Sequence, residues 1–150
     1  RDIQPEEIPL VTLGNGARVK IVARSFAGEG NTVAGPIQGL TTAPLMFDVR
    51  LPAGATFVHA LPEHHNAFVY PFEGSVTVGA DATPLARQSA GVLSAGEHVE
   101  ITAGAEGAAF LLLAANPLGE PIAQYGPFVM NTREEIEQAL DDFRRGKLAA

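Results

Sequence analysis

Residues 61–74, LPEHHNAFVYPFEG, place adjacent His64 and His65 and two carboxylates, Glu63 and Glu73, around an aromatic segment. Three of the chain's four histidines fall within residues 59–65, and the fourth, His98, follows Glu97. A catalytic metal centre needs three or four N or O donors converging on one point, commonly His with Asp or Glu. His59, His64, His65 and His98, with Glu63, Glu73 and Glu97, supply the right donor types. The competing reading is that they are turn and surface residues, since PEHHN carries Pro and Asn. Which reading holds depends on the strands that carry them.

Other chemistries are easier to dismiss. The absence of cysteine excludes disulfides, thiolate metal sites and Cys nucleophiles, and a cytoplasmic location is the expectation. GEGNTVAG lacks the Lys and the strand-to-helix context of a phosphate-binding loop. The EE and DD pairs near the C-terminus sit on a helical pattern, where neighbours diverge by about 100°. They suit dipole and solvation roles rather than acid–base pairing. A net charge of −7 argues against general nucleic-acid or membrane-surface binding, which wants a positive field. No basic cluster exists beyond Arg144, Arg145 and Lys147.

With 150 residues, 46% hydrophobic and 18% charged, the chain suits one globular domain with a real core. The longest apolar run, residues 108–115, is too short to span a bilayer. The sequence opens RDIQPEEIPL, without a signal pattern and without Met, so the chain is expected to be a piece of something longer.

The elements that would position the histidines are mostly strands. RDIQPEEIP reads as a linker or an arm lying on a neighbour. Asn15-Gly16, between LVTL and RVKIVA, signals a hairpin. SFAGEGNTVAGPIQG (25–39) has four glycines and reads as a long loop. LMFDVRL alternates Met46, Asp48 and Arg50 against Phe47 and Val49, the period of a half-buried strand. AFVYPF and EGSVTVGAD read as successive strands, AGVLSAGEHVEITAG as short strands around Gly96, and AAFLLLAA as a strand buried on both faces. Phe68, Tyr70 and Phe72 share one face, expected to be barrel core, with a pocket wall as the alternative. Pro71 argues for an edge or bulge there.

The end of the chain is helical, predicted over about 132–146. Thr132 and Glu135 form a capping box, Glu134, Glu135 and Glu137 meet the positive end of the dipole, and Arg144 and Arg145 meet the negative end. Gly146 suits the position just past the end. Ile136, Ala139, Leu140 and Phe143 form a buried stripe, expected to pack on a β-barrel or a second domain. Before the helix, Tyr125, Phe128 and Met130 form an apolar patch. The domain expectation is an arm with the first strand over 1–16, a barrel over 17–130, and a helix with tail over 131–150.

Residues 54–74 resemble the first motif of the cupin barrel: Gly, five residues, His-x-His, three or four residues, Glu, six residues, Gly. Gly54 and Gly74 fit the frame. The ligand positions then fall on Ala60, Pro62 and Ala67. In SAGEHV, Gly96 matches the second cupin motif and its His position falls on Val99. None of these side chains binds a metal. His59 and His98 each lie one residue from a ligand position, and in a strand that offset is expected to aim them out of the barrel.

QYGPFVMNTREEIEQALDDFRRGKL, with HNAFVYPFEGSVTVG and ITAGAEGAAFLLLAANPLGEPI, resembles the pirin family's second domain. The resemblance covers nearly the whole chain. It implies a mainly β cupin jelly-roll (double-stranded β-helix) barrel with one C-terminal helix, forming the second half of a bicupin. It implies iron or another divalent metal in the N-terminal cupin half, with no cofactor and no catalytic, cofactor-binding or metal residue in this chain. The expected partner is that N-terminal cupin domain, with a flavonol-like substrate there for a quercetin 2,3-dioxygenase-type reaction. The alternative is a non-enzymatic regulatory protein acting through a protein partner, a transcription co-regulator or metabolic-enzyme regulator. A third reading is a stand-alone cupin with its own ligand site. No direct nucleic-acid or membrane contact is expected.

Overall fold

The computed structural model describes residues 2–28 and 30–148, so expectations touching residues 1, 29, 149 and 150 lie outside the described residues. It divides into two compact units, one ending at Pro117 and the other beginning at Leu118. Among the described residues no helix is long and apolar enough to cross a membrane.

The first unit is almost wholly β. A short 3-10 turn (Pro5–Glu7) leads into β1 (Leu10–Thr12), which pairs with β2 (Arg18–Ala23). The Asn15-Gly16 hairpin is as expected. Gly16 takes φ 82° and its N–H donates to the Leu13 carbonyl, while Asn15 Oδ1 accepts from the Ala17 N–H. The glycine-rich stretch that follows is not a long loop. It forms a second hairpin, β3 (Ser25–Gly28) with β4 (Asn31–Ala34). Phe26 supplies the reason: its ring is buried in the core and fixes which face turns inward.

β5 (Leu45–Leu51) alternates as its sequence predicts, with Leu45, Phe47, Val49 and Leu51 buried. β6 (Thr56–Ala60) follows, then β7 (Asn66–Val78), β8 (Thr83–Leu85), β9 (Gly91–Val92) and β10 (His98–Ala115). AFVYPF and EGSVTV are thus one 13-residue strand rather than two. β10 is longer still, and both strands serve two faces of the core. The second half of β10 pairs with β5 and the first half of β7; its first half pairs with β6 and the end of β7. The register breaks between Ala103 and Ala108, where the chain changes face. Gly74 and Gly107 meet there. Gly74 has φ 66°, and any Cβ on it would collide with the Gly107 carbonyl oxygen.

The fully buried residues of these strands include Phe47, Phe57, Phe110, Ile21, Ile101 and Leu112. Each such side chain contributes roughly 1.5–3 kcal/mol through apolar burial. The arrangement is a jelly-roll. AAFLLLAA lies centrally within it, between β5 and β7, but is not equally buried on both faces: Phe110, Leu112 and Ala114 point inward, while Leu111 and Leu113 stay half-buried on the other side.

The second unit is a small hairpin, β11 (Ala123–Tyr125) with β12 (Phe128–Met130), and one helix, α1 (Arg133–Arg144). The capping box of Thr132 and Glu135 is present in both directions, and Gly146 takes φ 68° after the C-cap Arg145. Of the expected stripe, Ile136 and Ala139 are buried. Phe143 is 63% exposed, which corrects its placement in that stripe. Its ring meets Phe128 edge-on at 6.0 Å, and within this unit the contact covers only one side of it.

Candidate functional site

β6 sets the orientation of the central histidine. Its burial alternates, with Phe57 and His59 inward and Val58 and Ala60 outward. His59 is therefore inside the barrel, 9% exposed, and the expectation that it points outward is corrected. The glycine-to-slot count missed because the strand's own apolar alternation sets its register, not the distance from Gly54. Three phenyl rings enclose the imidazole. Phe26 stacks at 5.3 Å, Phe47 meets it edge-on at 5.0 Å, and Phe57 lies near-parallel at 6.1 Å. Across the ladder the residue opposite is Val99. Burial, and then the charge of Arg24, hold the His59 pKa down to about 4. The ring is neutral at pH 7.

The other histidines do not join it. His98 pairs with Ala60 and is exposed, as its expected outward aim requires. His64 is exposed and packs edge-on against His65 at 4.9 Å. His65 closes a turn through its N–H to the Pro62 carbonyl, and its side chain is buried with Nδ1 unpartnered. Burial lowers its pKa, with Arg24 and then His64 adding to the effect. Among the described residues, no group of three or more His, Asp or Glu side chains is placed to hold a metal ion. The positions around His59 are phenyl rings and Val99, so they do not fit the metal that the fold type carries elsewhere.

Arg24 is the residue that sequence reasoning missed. It lies between β2 and β3 at φ 66°, a left-handed conformation that costs a non-glycine residue roughly 1–2 kcal/mol. Residues 35–37 pin its backbone: its N–H donates to the Ile37 carbonyl, and its carbonyl accepts from the Gly35 N–H. A pocket of about 370 Å³ opens beside it, lined by Arg24, Ser25, Ala27, Leu45, His59 and Leu61, among others. No periodicity or spacing marks an arginine held this way.

The aromatic face of β7 also departs from expectation. Ala67, Val69 and Pro71 face the core, whereas Phe68, Tyr70 and Phe72 lie on the outer face and are not barrel core. The bulge expected at Pro71 is present, as a register break between Ala109 and Phe110 of β10. It lets two successive side chains reach Arg50: Phe72 lies under the guanidinium at 5.7 Å, and Glu73 pairs with it at 2.9 Å. Along one ladder row Met46, Leu113, Phe68 and Val92 are neighbours, and Val92 is 83% exposed.

Strand order, the shared long strands and the inward-facing β6 define a cupin-type jelly-roll whose interior is packed with rings rather than ligands. Residues 46–149 match the pirin C-terminal cupin domain, and the chain belongs to that family. A Pseudomonas aeruginosa protein named, provisionally, as a quercetin 2,3-dioxygenase is 43% identical over 99% of this chain and 52% of its own length. A pirin-like protein of Caulobacter vibrioides is 40% identical over 98% of this chain and 51% of its own. The crystal structure of quercetin 2,3-dioxygenase from Acinetobacter baumannii superposes with a TM-score of 0.84 at 33% identity, over 99% of this chain and 50% of that one. The chain thus spans about half the length of the relatives it matches.

Proposed function

We propose that this chain is the metal-free C-terminal half of a two-cupin protein, and that a divalent metal, iron first among candidates, works in the N-terminal half. There it would support a quercetin 2,3-dioxygenase-type reaction on a flavonol-like substrate. The observation that carries this reading is the interior of the barrel: His59 faces inward but is walled by Phe26, Phe47 and Phe57, opposite Val99. The length of the relatives and the name of the Acinetobacter baumannii structure support the other half of it. Oxygen consumption with quercetin by the metal-loaded full-length protein tests it. Turnover that survives His59→Phe is the expected result. Turnover abolished by that substitution in a folded protein would place the chemistry here instead.

A second reading is a regulatory protein acting through contacts with another protein. It is favoured by the apolar row of Met46, Leu113, Phe68 and Val92 on the outer face. Full-length, metal-loaded protein that consumes no oxygen with quercetin would point to it.

A further inference from the structure

The pocket where β2 ends, β5 begins and β6 ends is built from unlike parts. Ala27, Leu45, Ala60, Leu61 and Pro62 make an apolar lining. His59 presents a ring stacked on Phe26. Among the described residues Arg24 is the one charged residue on its wall, and no acidic side chain lines it. Its volume of about 370 Å³ lies within the roughly 300–1,000 Å³ of small-molecule pockets.

Arg24 is short of partners for a guanidinium with five N–H donors. Among the described residues its side chain makes one hydrogen bond, Nη1 to the Ala43 carbonyl at 3.3 Å, and no ion pair. Its backbone is held in a left-handed conformation that an L-residue adopts only when its surroundings impose it. The hydrogen bonds to Gly35 and Ile37 impose it here. Burial keeps His59 uncharged, so the pocket offers one positive charge beside a neutral aromatic wall.

We propose that this pocket binds a small organic monoanion, a carboxylate on a flat apolar body, with Arg24 as its counter-ion and the His59 ring, backed by Phe26, on its wall. A single guanidinium suits a carboxylate through a two-pronged hydrogen bond. With no second cation in the lining, a multiply charged phosphate is the poorer match. This proposal goes beyond the reading of the N-terminal half and stands without it.

The test uses the full-length protein labelled on histidine with ¹³C, titrated with benzoate and with its neutral analogue benzamide. Benzoate is expected to shift the His59 ring signals saturably and to bind at least tenfold more tightly than benzamide, the worth of a charge-assisted contact. Arg24→Asn removes the charge while tolerating a positive φ, and it should weaken benzoate at least tenfold. Arg24→Lys should retain part of the affinity, which separates charge from fold. Equal effects of benzoate and benzamide on His59 would overturn the proposal. So would a His59 signal that neither ligand moves, or undiminished benzoate binding in Arg24→Asn. Benzoate held at a metal in the other half leaves His59 unmoved, so the two sites cannot be confused.

Discussion

His59 is neutral among three phenyl rings because charging it there would strip an imidazolium of water. In the unfolded chain the same group titrates near 6.5; in the fold it titrates near 4. Below pH 6.5 the unfolded state binds a proton that the folded state refuses, so stability falls as the pH drops from about 6.5 to about 4. The full effect, reached below about pH 4, is on the order of 3 kcal/mol, at about 1.36 kcal/mol for each tenfold change in proton affinity. His59→Phe should remove this acid sensitivity, read as urea midpoints at pH 7 and pH 4.5 that move closer together than in the parent. A second residue-scale prediction concerns glycines. Gly74→Ala meets both a positive φ and the Gly107 carbonyl, and should cost upwards of 2 kcal/mol by urea denaturation. Gly54→Ala has open space around it and should cost only about 1–2 kcal/mol, from φ alone. At this scale the sequence was legible where a residue acts by itself. Gly54 and Gly74 have the positive φ that a glycine-framed motif suggests. His59 was not legible, because its direction depends on register along β6. Arg24 was not either, because its backbone conformation is imposed by Gly35 and Ile37, which are remote from any motif.

Elements follow the same division. β5 and α1 could be read directly: one has strict alternation and buries a single face, and the other carries a capping box, charged ends and a C-terminal glycine. Thr132→Ala should cost the second unit about 1 kcal/mol and reduce the helical circular dichroism signal, since Thr132 Oγ1 accepts from the Glu135 N–H. β7 was harder. It has apolar residues on both faces, Ala67, Val69 and Pro71 on one and Phe68, Tyr70 and Phe72 on the other, so alternation cannot choose between them. The larger side chains suggested the core, but the crowded interior near Phe47, Phe57 and Phe110 takes the smaller set. β3 and β4 were hidden because glycine-rich composition reads as loop, and only the burial of Phe26 makes the hairpin worth forming.

For the whole molecule, the outer face has a consequence for solution behaviour. Phe68 and Val92, exposed beside Met46 and Leu113, form a strip that water covers poorly. The chain by itself should self-associate at high concentration, more so in added salt, which screens its charge of −7. Val92→Glu should shift it toward monomer, as measured by light scattering; a chain that is monomeric throughout would count against a sticky outer face. Family membership and fold were readable from nearly the full length of the sequence, whereas the interior chemistry was readable only as which residue types fill the slots. The central claim is that this barrel holds no metal of its own. Metal analysis of the chain purified alone, with near-UV circular dichroism to establish that it is folded, addresses it most directly. The account predicts iron, nickel and manganese far below one per chain after dialysis. About one tightly held metal ion per chain would contradict it.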